Sequence, residues 1–492
     1  MSTEIPAAAT APTDSVAARA PIEHGPPPAS VSGKKRQAFD RSIVEGPVAS
    51  AVWKIAWPTV LQNAIGGLQG IVDHVLVGRY VGYTGNAAIG VSWQIFLVVI
   101  VFISSLFTGM AVLVSRAAGA NDHDRVNRTV YQAFLTAVAL AVGVLAPLGY
   151  VLSPRLLDLV NATPAVRAEA LPFLQTMFMY SIGLLMFFML GGALRAAGDA
   201  RTPLRLGVAL TILNFVLNVI LTRGAGPIPA FGTRGAAMGT AIASISVSAV
   251  GLWLIFAGRL VVHFERTMSH APDFTIIRAL FRFGLPAGIQ GVAMNVAGVM
   301  LLRFIGSLPE SAEAQAAYAV GYAELFSLIT WTSVGLMGAA AAVAGQNLGA
   351  GRPDRSARAV HIAARCGLGV AAMIGALFLL IPDQLLGIFG LNDPTVLQIG
   401  RGLLRFLSVS GLFITVALTY TGGLQGTGDT RSPLFITLIS QVLLPPGICL
   451  LLERTGQLQA SGVWTAILVG HTTRCLLTVL RFQQGKWRHI KV

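Results

Sequence analysis

Charge is scarce in this chain. Asp, Glu, Lys and Arg make up 11% of its 492 residues, against roughly 25% in an average soluble domain. So few ionic groups cannot clothe a water-facing surface, which keeps growing with chain size. Cysteine is scarce as well. Cys366, Cys449 and Cys475 lie in or beside apolar runs and form no CxxC pair, which argues against a disulfide framework or a thiolate metal centre. There is no GxxxxGK[ST] phosphate loop, no HExxH, no GxSxG and no cluster of metal ligands. ATP hydrolysis and enzyme chemistry therefore have no visible foothold, and no cofactor is expected. What is abundant is apolar: 54% of residues are hydrophobic and the mean hydropathy is +0.69. The chain reads as an all-α polytopic membrane protein. Its net charge of +14 sits in the short gaps between apolar runs without interleaved aromatics. That pattern fits a topology signal and anionic lipid, not nucleic acid.

A bilayer core takes about 20 apolar residues per helix. Spans fall near 52–78, 88–115, 129–151, 169–192, 204–222, 235–258, 279–306, 316–344, 358–381, 397–420, 433–452 and 461–481. Twelve spans put both termini on one side. All but nine of the 35 Lys and Arg, Arg195 and Arg474 among them, fall in gaps or span ends on that side, which makes it cytoplasmic. Residues 1–46, rich in Ala, Pro, Ser and Thr, read as a disordered cytoplasmic tail with no secretory h-region.

The stretch LRAAGDARTP at 194–203 returns as LQGTGDTRSP at 424–433. Gly119-Ala120, Asp124-Arg125 and Pro164 recur as Gly349-Ala350, Asp354-Arg355 and Pro394, all at one offset. Pro58 and Gln62 recur as Pro286 and Gln290. The chain is thus two six-span lobes in a parallel repeat, related by an axis along the membrane normal. The expected divisions are a first lobe 47–258, a cytoplasmic linker 259–278, a second lobe 279–485 and a cytoplasmic tail 486–492. In the repeated turn, Gly breaks the helix, Arg meets the anionic leaflet and Pro suits the first turn of the next helix.

Ionisable residues inside spans are costly and mark functional sites by default. Asp73 lies in the first span, Asn214 and Asn218 share one face of the fifth, and Thr240 lies in the sixth. At about 1.5 Å per residue all four come to similar depth. One carboxylate with amide and hydroxyl oxygens suits Na⁺, and the carboxylate alone suits a proton. Hydrogen bonding between helices is the competing reading. The second half has Leu301, Leu444 and Ile448 at the places of Asp73, Asn214 and Asn218. Glu324 of the eighth span is a candidate for a cationic substrate or a proton, unless it pairs with Arg303. Gln94, its repeat partner, Gln290, Tyr180 and Met177 join it as candidate lining residues, with ordinary packing as the alternative for Tyr180 and Met177. His74, turned about 100° from Asp73, reads as structural.

Taken together, these residues resemble the multidrug and toxic compound extrusion family. The motifs are Pro58 with Asp73 and Val77-Gly78-Arg79, Ser115 through Arg125, LRAAGDARTP, LNFVLN, GAAMGT, FGLPAGIQ, GQNLGAGRPDR and LQGTGDTRSP, in that order over about 50–485. The resemblance implies a V-shaped pair of six-helix lobes around a cavity that alternates between the two sides. It implies export of cationic, amphipathic small molecules in exchange for Na⁺ or H⁺, from a monomer in the cell's inner membrane. The family's first-lobe cation site carries over as Asp73, Asn214, Asn218 and Thr240. Some relatives have Asp in place of Asn218, so ion identity stays open. Met294 and Ile414 stand near places where one branch has acids. A lipid-linked oligosaccharide flippase, a membrane-embedded transferase and a major-facilitator symporter are the alternatives.

Overall fold

The computed structural model describes residues 38–264 and 268–492, apart from the side chains at 68, 71–73, 75, 83 and 98. Twelve long helical segments follow one another, as the apolar runs predict. They are α1 (Val48–Tyr80), α2 (Tyr83–Gly119), α3 (His123–Leu159), α4 (Pro164–Met179 continuing as Ser181–Ala196), α5 (Arg201–Arg223) and α6 (Gly232–Phe256). The second half repeats them as α7 (Phe274–Gly306), α8 (Ser311–Gly349), α9 (Pro353–Leu380), α10 (Pro394–Gly426), α11 (Arg431–Arg454) and α12 (Ala460–Gln483). There is no strand among the described residues.

Four of these helices depart from regular α geometry. α4 bends by 52° at Tyr180, where the sequence shows one continuous span. There the Gly183 carbonyl accepts a hydrogen bond at 2.8 Å from the Ser248 hydroxyl of α6. α3 and α11 each contain a π turn, Ala141–Leu145 and Leu438–Leu443, just before Pro147 and before Pro445-Pro446. A proline has no N–H to donate one turn back, and the extra residue of a π turn absorbs the mismatch. The third π turn, Ala319–Leu325 in α8, has no proline after it.

The two halves share their packing at one end and separate at the other. Val52 and Ile55 of α1 sit in one core with Ala339 and Val343 of α8. Leu280 and Phe283 of α7 sit with Met110 and Leu113 of α2. These are the same contact seen twice, related by the repeat. At the far end, Val77, Phe96 and Phe173 form a core of the first half alone, and Leu301, Phe326 and Leu403 one of the second half alone. Lipid offers no hydrophobic drive between helices, so close packing of small residues has to supply it. Gly119 and Gly349, one repeat apart, do this: a Cβ at Gly119 would lie 1.9 Å from the Gln346 carbonyl oxygen, and one at Gly349 2.1 Å from that of Arg116.

The repeated Gly-Asp turns lie on this shared side. Gly198 and Gly428 have φ of 101° and 100°, a left-handed region open to glycine at little cost. Each turn ends one helix and starts the next. The Asp199 amide donates to the Leu194 carbonyl at 2.8 Å and that of Asp429 to Leu424 at 2.9 Å. The Asp199 carboxylate then accepts from the Arg201 and Thr202 amides at 3.1 and 3.0 Å. Capping by Asp is the function that composition alone did not assign to this turn.

Both ends of the described chain seat on these turns. The tail expected over 1–46 lies outside the described residues as far as residue 37. Its last part is not a tail: Ser42–Glu45 forms a helical turn with Ile43 fully buried, and Ile43 packs against Gly198. Arg355 of the second half donates to the Gly46 carbonyl at 2.6 Å. At the other end Ile490 and Val492 pack against Gly428. Arg125 of the first half, the repeat partner of Arg355, donates to the Val492 carbonyl at 3.0 Å. Each end segment therefore straps a turn of one half to a loop of the other. The region between the halves is also held: Gln132 of α3 donates to the Ala271 carbonyl at 2.7 Å and accepts from the Asp273 amide at 3.1 Å.

Candidate cation site

Asn214 and Asn218 stand one turn apart on α5 and face α6. They are 0% and 2% exposed, and Thr240 of α6 is 8% exposed. The Asn218 amide donates to Asn214 Oδ1 at 3.2 Å, and the Asn214 amide donates to Thr240 Oγ1 at 2.9 Å. The Thr240 hydroxyl in turn donates to the Ala236 carbonyl at 3.1 Å. One polar chain thus runs from α5 into the backbone of α6. It fits because residue 239 is glycine: a Cβ there would lie 2.0 Å from Asn218 Oδ1.

The side chain of Asp73 lies outside the described residues; its backbone belongs to α1. α1 packs along α5, and Thr211 donates to Gln69 Oε1 at 3.1 Å. Asp73 follows Gln69 by one turn, and Asn214 follows Thr211 by nearly one. The two helices run the same way in the repeat, so the backbone of Asp73 stands level with the asparagines. Its neighbour His74 bonds through Nδ1 to Asn86 Oδ1 of α2 at 2.5 Å, the structural role expected.

The other candidate residues do not assemble. Glu324 is exposed on the π turn of α8 and has no ion pair among the described residues. Its suggested partner Arg303 instead approaches Glu453 at 3.7 Å and lies over the Phe304 ring. Gln94 is exposed on α2, and Tyr180 is exposed at the break in α4. Gln290 is buried and occupied: it donates to Thr437 Oγ1 at 2.9 Å and accepts from Gln425 at 3.2 Å. Met177 lines no open space. It is 3% exposed and lies in an apolar core with Phe173 and Phe178, because its stretch of α4 turns that face inward.

Two arginines counted with the gaps and span ends lie within the bundles. Arg195 donates to Gln62 at 2.9 Å, the bond that Gln425 and Gln290 make in the other half. That equivalence is readable from the repeat, since both partners recur as polar residues. Arg474 is 4% exposed inside α12. Its signal is an arginine three residues after His471 in an otherwise apolar run.

Comparison with known proteins agrees with this architecture. The family model MatE matches twice, at residues 58–220 and 286–449, once in each half. The chain is 26% identical to a probable multidrug resistance protein NorM of Thermotoga maritima, over 88% of this chain and 92% of that one. It is 28% identical to a protein of the same description from Deinococcus radiodurans, over 88% and 94%. Its fold is similar to a solved structure described as the outward-facing conformation of a multidrug resistance MATE family transporter of the MOP superfamily. That match has a TM-score of 0.84 at 19% identity and covers 93% of this chain and all of the other. This chain therefore belongs to the MatE family, a family of membrane transporters and not of enzymes.

Proposed function

We propose that the protein is a secondary antiporter that exports cationic, amphipathic small molecules in exchange for inward Na⁺ or H⁺. The relatives named as multidrug resistance proteins support export of drug-like cargo. The observation that carries the coupling is the buried Asn218–Asn214–Thr240 chain, level with the backbone of Asp73 and absent from the second half. An arriving cation gains oxygen ligands there and favours one arrangement of the first lobe. Coupling follows only if that arrangement binds cargo more weakly. The lobes 47–258 and 279–485 exchange access around the end where their cores are shared, with 259–278 as the linker. Both termini face the cytoplasm, and the protein works as a monomer in the inner membrane.

The test is efflux of a fluorescent organic cation from proteoliposomes under a separately imposed Na⁺ or proton gradient. Asp73→Asn is expected to abolish gradient-driven efflux while leaving insertion and thermal midpoint intact. Unchanged efflux in that variant would end this assignment.

A further inference from the structure

A guanidinium inside a membrane bundle needs a partner, because unpaired burial costs several kcal/mol. Among the described residues Arg474 has none of adequate strength. It is 4% exposed, its Nε has no hydrogen-bond acceptor, and Nη1 has only the Met294 thioether at 4.0 Å. No carboxylate pairs with it among the described residues. It lies about 13 Å along α12 from the helix end at Gln483. His471, one turn away on the same face, is 2% exposed, and its Nδ1 is also without a partner.

A row of aromatic rings leads to His471. Trp464 stacks on Tyr318 with ring centres 6.1 Å apart, Tyr318 on Tyr322 at 4.9 Å, and Phe326 on His471 at 5.8 Å, all within 12° of parallel. Tyr322 and Phe326, 5.4 Å apart, complete a staircase that climbs α8 and ends on the imidazole. Both π turns of the second half border this region. One carries Tyr322; the other presents the Ser440 carbonyl against Gly470, next to His471. Such turns recur at functional sites. Tyr322 and Met294 are partly exposed, so this is the less enclosed side of the two groups. The first half has Ser244 at the place of Arg474, so the repeat does not require this charge for folding.

We propose that Arg474 and His471 form an anion-binding subsite in the second half, which takes an aromatic carboxylate. The planar guanidinium fork matches a carboxylate with two parallel hydrogen bonds. His471 Nδ1 donates to the same group in its Nδ1–H tautomer. The ring attached to the carboxylate lies against the aromatic staircase. The subsite makes the protein's cargo range include zwitterionic and anionic aromatics beside cations. It does not depend on ion coupling at Asp73.

The experiment is isothermal titration of the full chain in detergent, with no membrane and no gradient. A failure of the antiport assignment therefore leaves it untouched. The probes are 2-naphthoate and 2-naphthylmethylammonium, alike in ring and opposite in charge. Wild type is expected to bind naphthoate saturably. Arg474→Met is expected to weaken it by about tenfold or more, as for loss of a charge-assisted pair, and to leave the ammonium probe unaffected or tighter. Removal of an unpaired buried charge is also expected to raise the thermal midpoint, whereas a structural role would lower it. If Arg474→Met does not fold, Arg474→Lys is measured in its place; it keeps the charge, loses the fork and is expected to bind naphthoate several-fold more weakly. Three results overturn the proposal: no saturable naphthoate binding to wild type, equal naphthoate affinity in the variant measured, or equal weakening of both probes.

Discussion

Gly239→Ala tests whether the buried polar chain between α5 and α6 is as tight as described. The added methyl would lie 2.0 Å from Asn218 Oδ1 and 3.0 Å from the Asn218 backbone nitrogen. The amide end can swing aside, but the backbone of α5 cannot do so cheaply. Overpacking of this kind costs about 1–3 kcal/mol. Displacing Asn218 also breaks its bond to Asn214, and a buried polar group left unmatched adds about 1–3 kcal/mol. The variant should therefore lose roughly 2–6 kcal/mol of stability, read as a lower thermal midpoint in detergent, together with gradient-driven efflux. Gly298→Ala on α7 is the matched control. Nothing lies within 4 Å of a Cβ there, and the helix should gain up to about 1 kcal/mol. Adding Asn218→Ala to Gly239→Ala removes the group that is struck. The double variant should then lose less than the sum of the singles, by about 0.5–3 kcal/mol. If Gly239→Ala behaves like Gly298→Ala, or if the two changes simply add, the close approach does not exist.

Two further outcomes concern the repeated turns. Asp199→Ala removes a helix cap worth about 1 kcal/mol. Asp429→Ala removes the same cap and leaves Arg481, which bonds Asp429 at 2.8 and 2.9 Å with the carboxylate 6% exposed, without its anion; the loss should be about 3 kcal/mol. Equal thermal midpoints for the two would refute the difference. Ile43→Ala empties a fully buried site against Gly198 and should loosen residues 38–46 by about 2–4 kcal/mol, with faster tryptic cleavage at Arg41. Arg355→Gln should do the same by releasing Gly46; unchanged cleavage in both would show that the segment is held elsewhere.

Much of the architecture was legible in the residues. All twelve spans lie where the apolar runs put them, within several residues at their ends, because a bilayer imposes one length and one backbone solution on every crossing. The two halves showed in the recurring Gly-Asp turns, which the family match then met twice. The asparagines of the first-half polar chain stood out in the sequence because an asparagine pair on one helix face is rare in apolar sequence. Their mutual bonding was not, since it depends on how closely α5 and α6 approach at Gly239, which neither helix shows by itself. The inward turn of Arg474 and Arg195, which the sequence puts in a gap or at a span end, was not legible for a related reason. A basic residue near the end of a span looks the same in sequence whether it snorkels to the surface or turns inward.

Composition and periodicity alone determined that the chain crosses a membrane twelve times in two like halves. Those properties follow from transfer free energy and hydrogen-bond demand, which act on each segment separately. Only the tertiary structure decided that α1 and α7 exchange partners at one end of the molecule and that both ends of the described chain strap the halves together there. It alone decided that a lone guanidinium stands behind a stack of aromatic rings. Those are relations between segments far apart in sequence, set by which surfaces pack without voids or clashes, and no single segment carries that information.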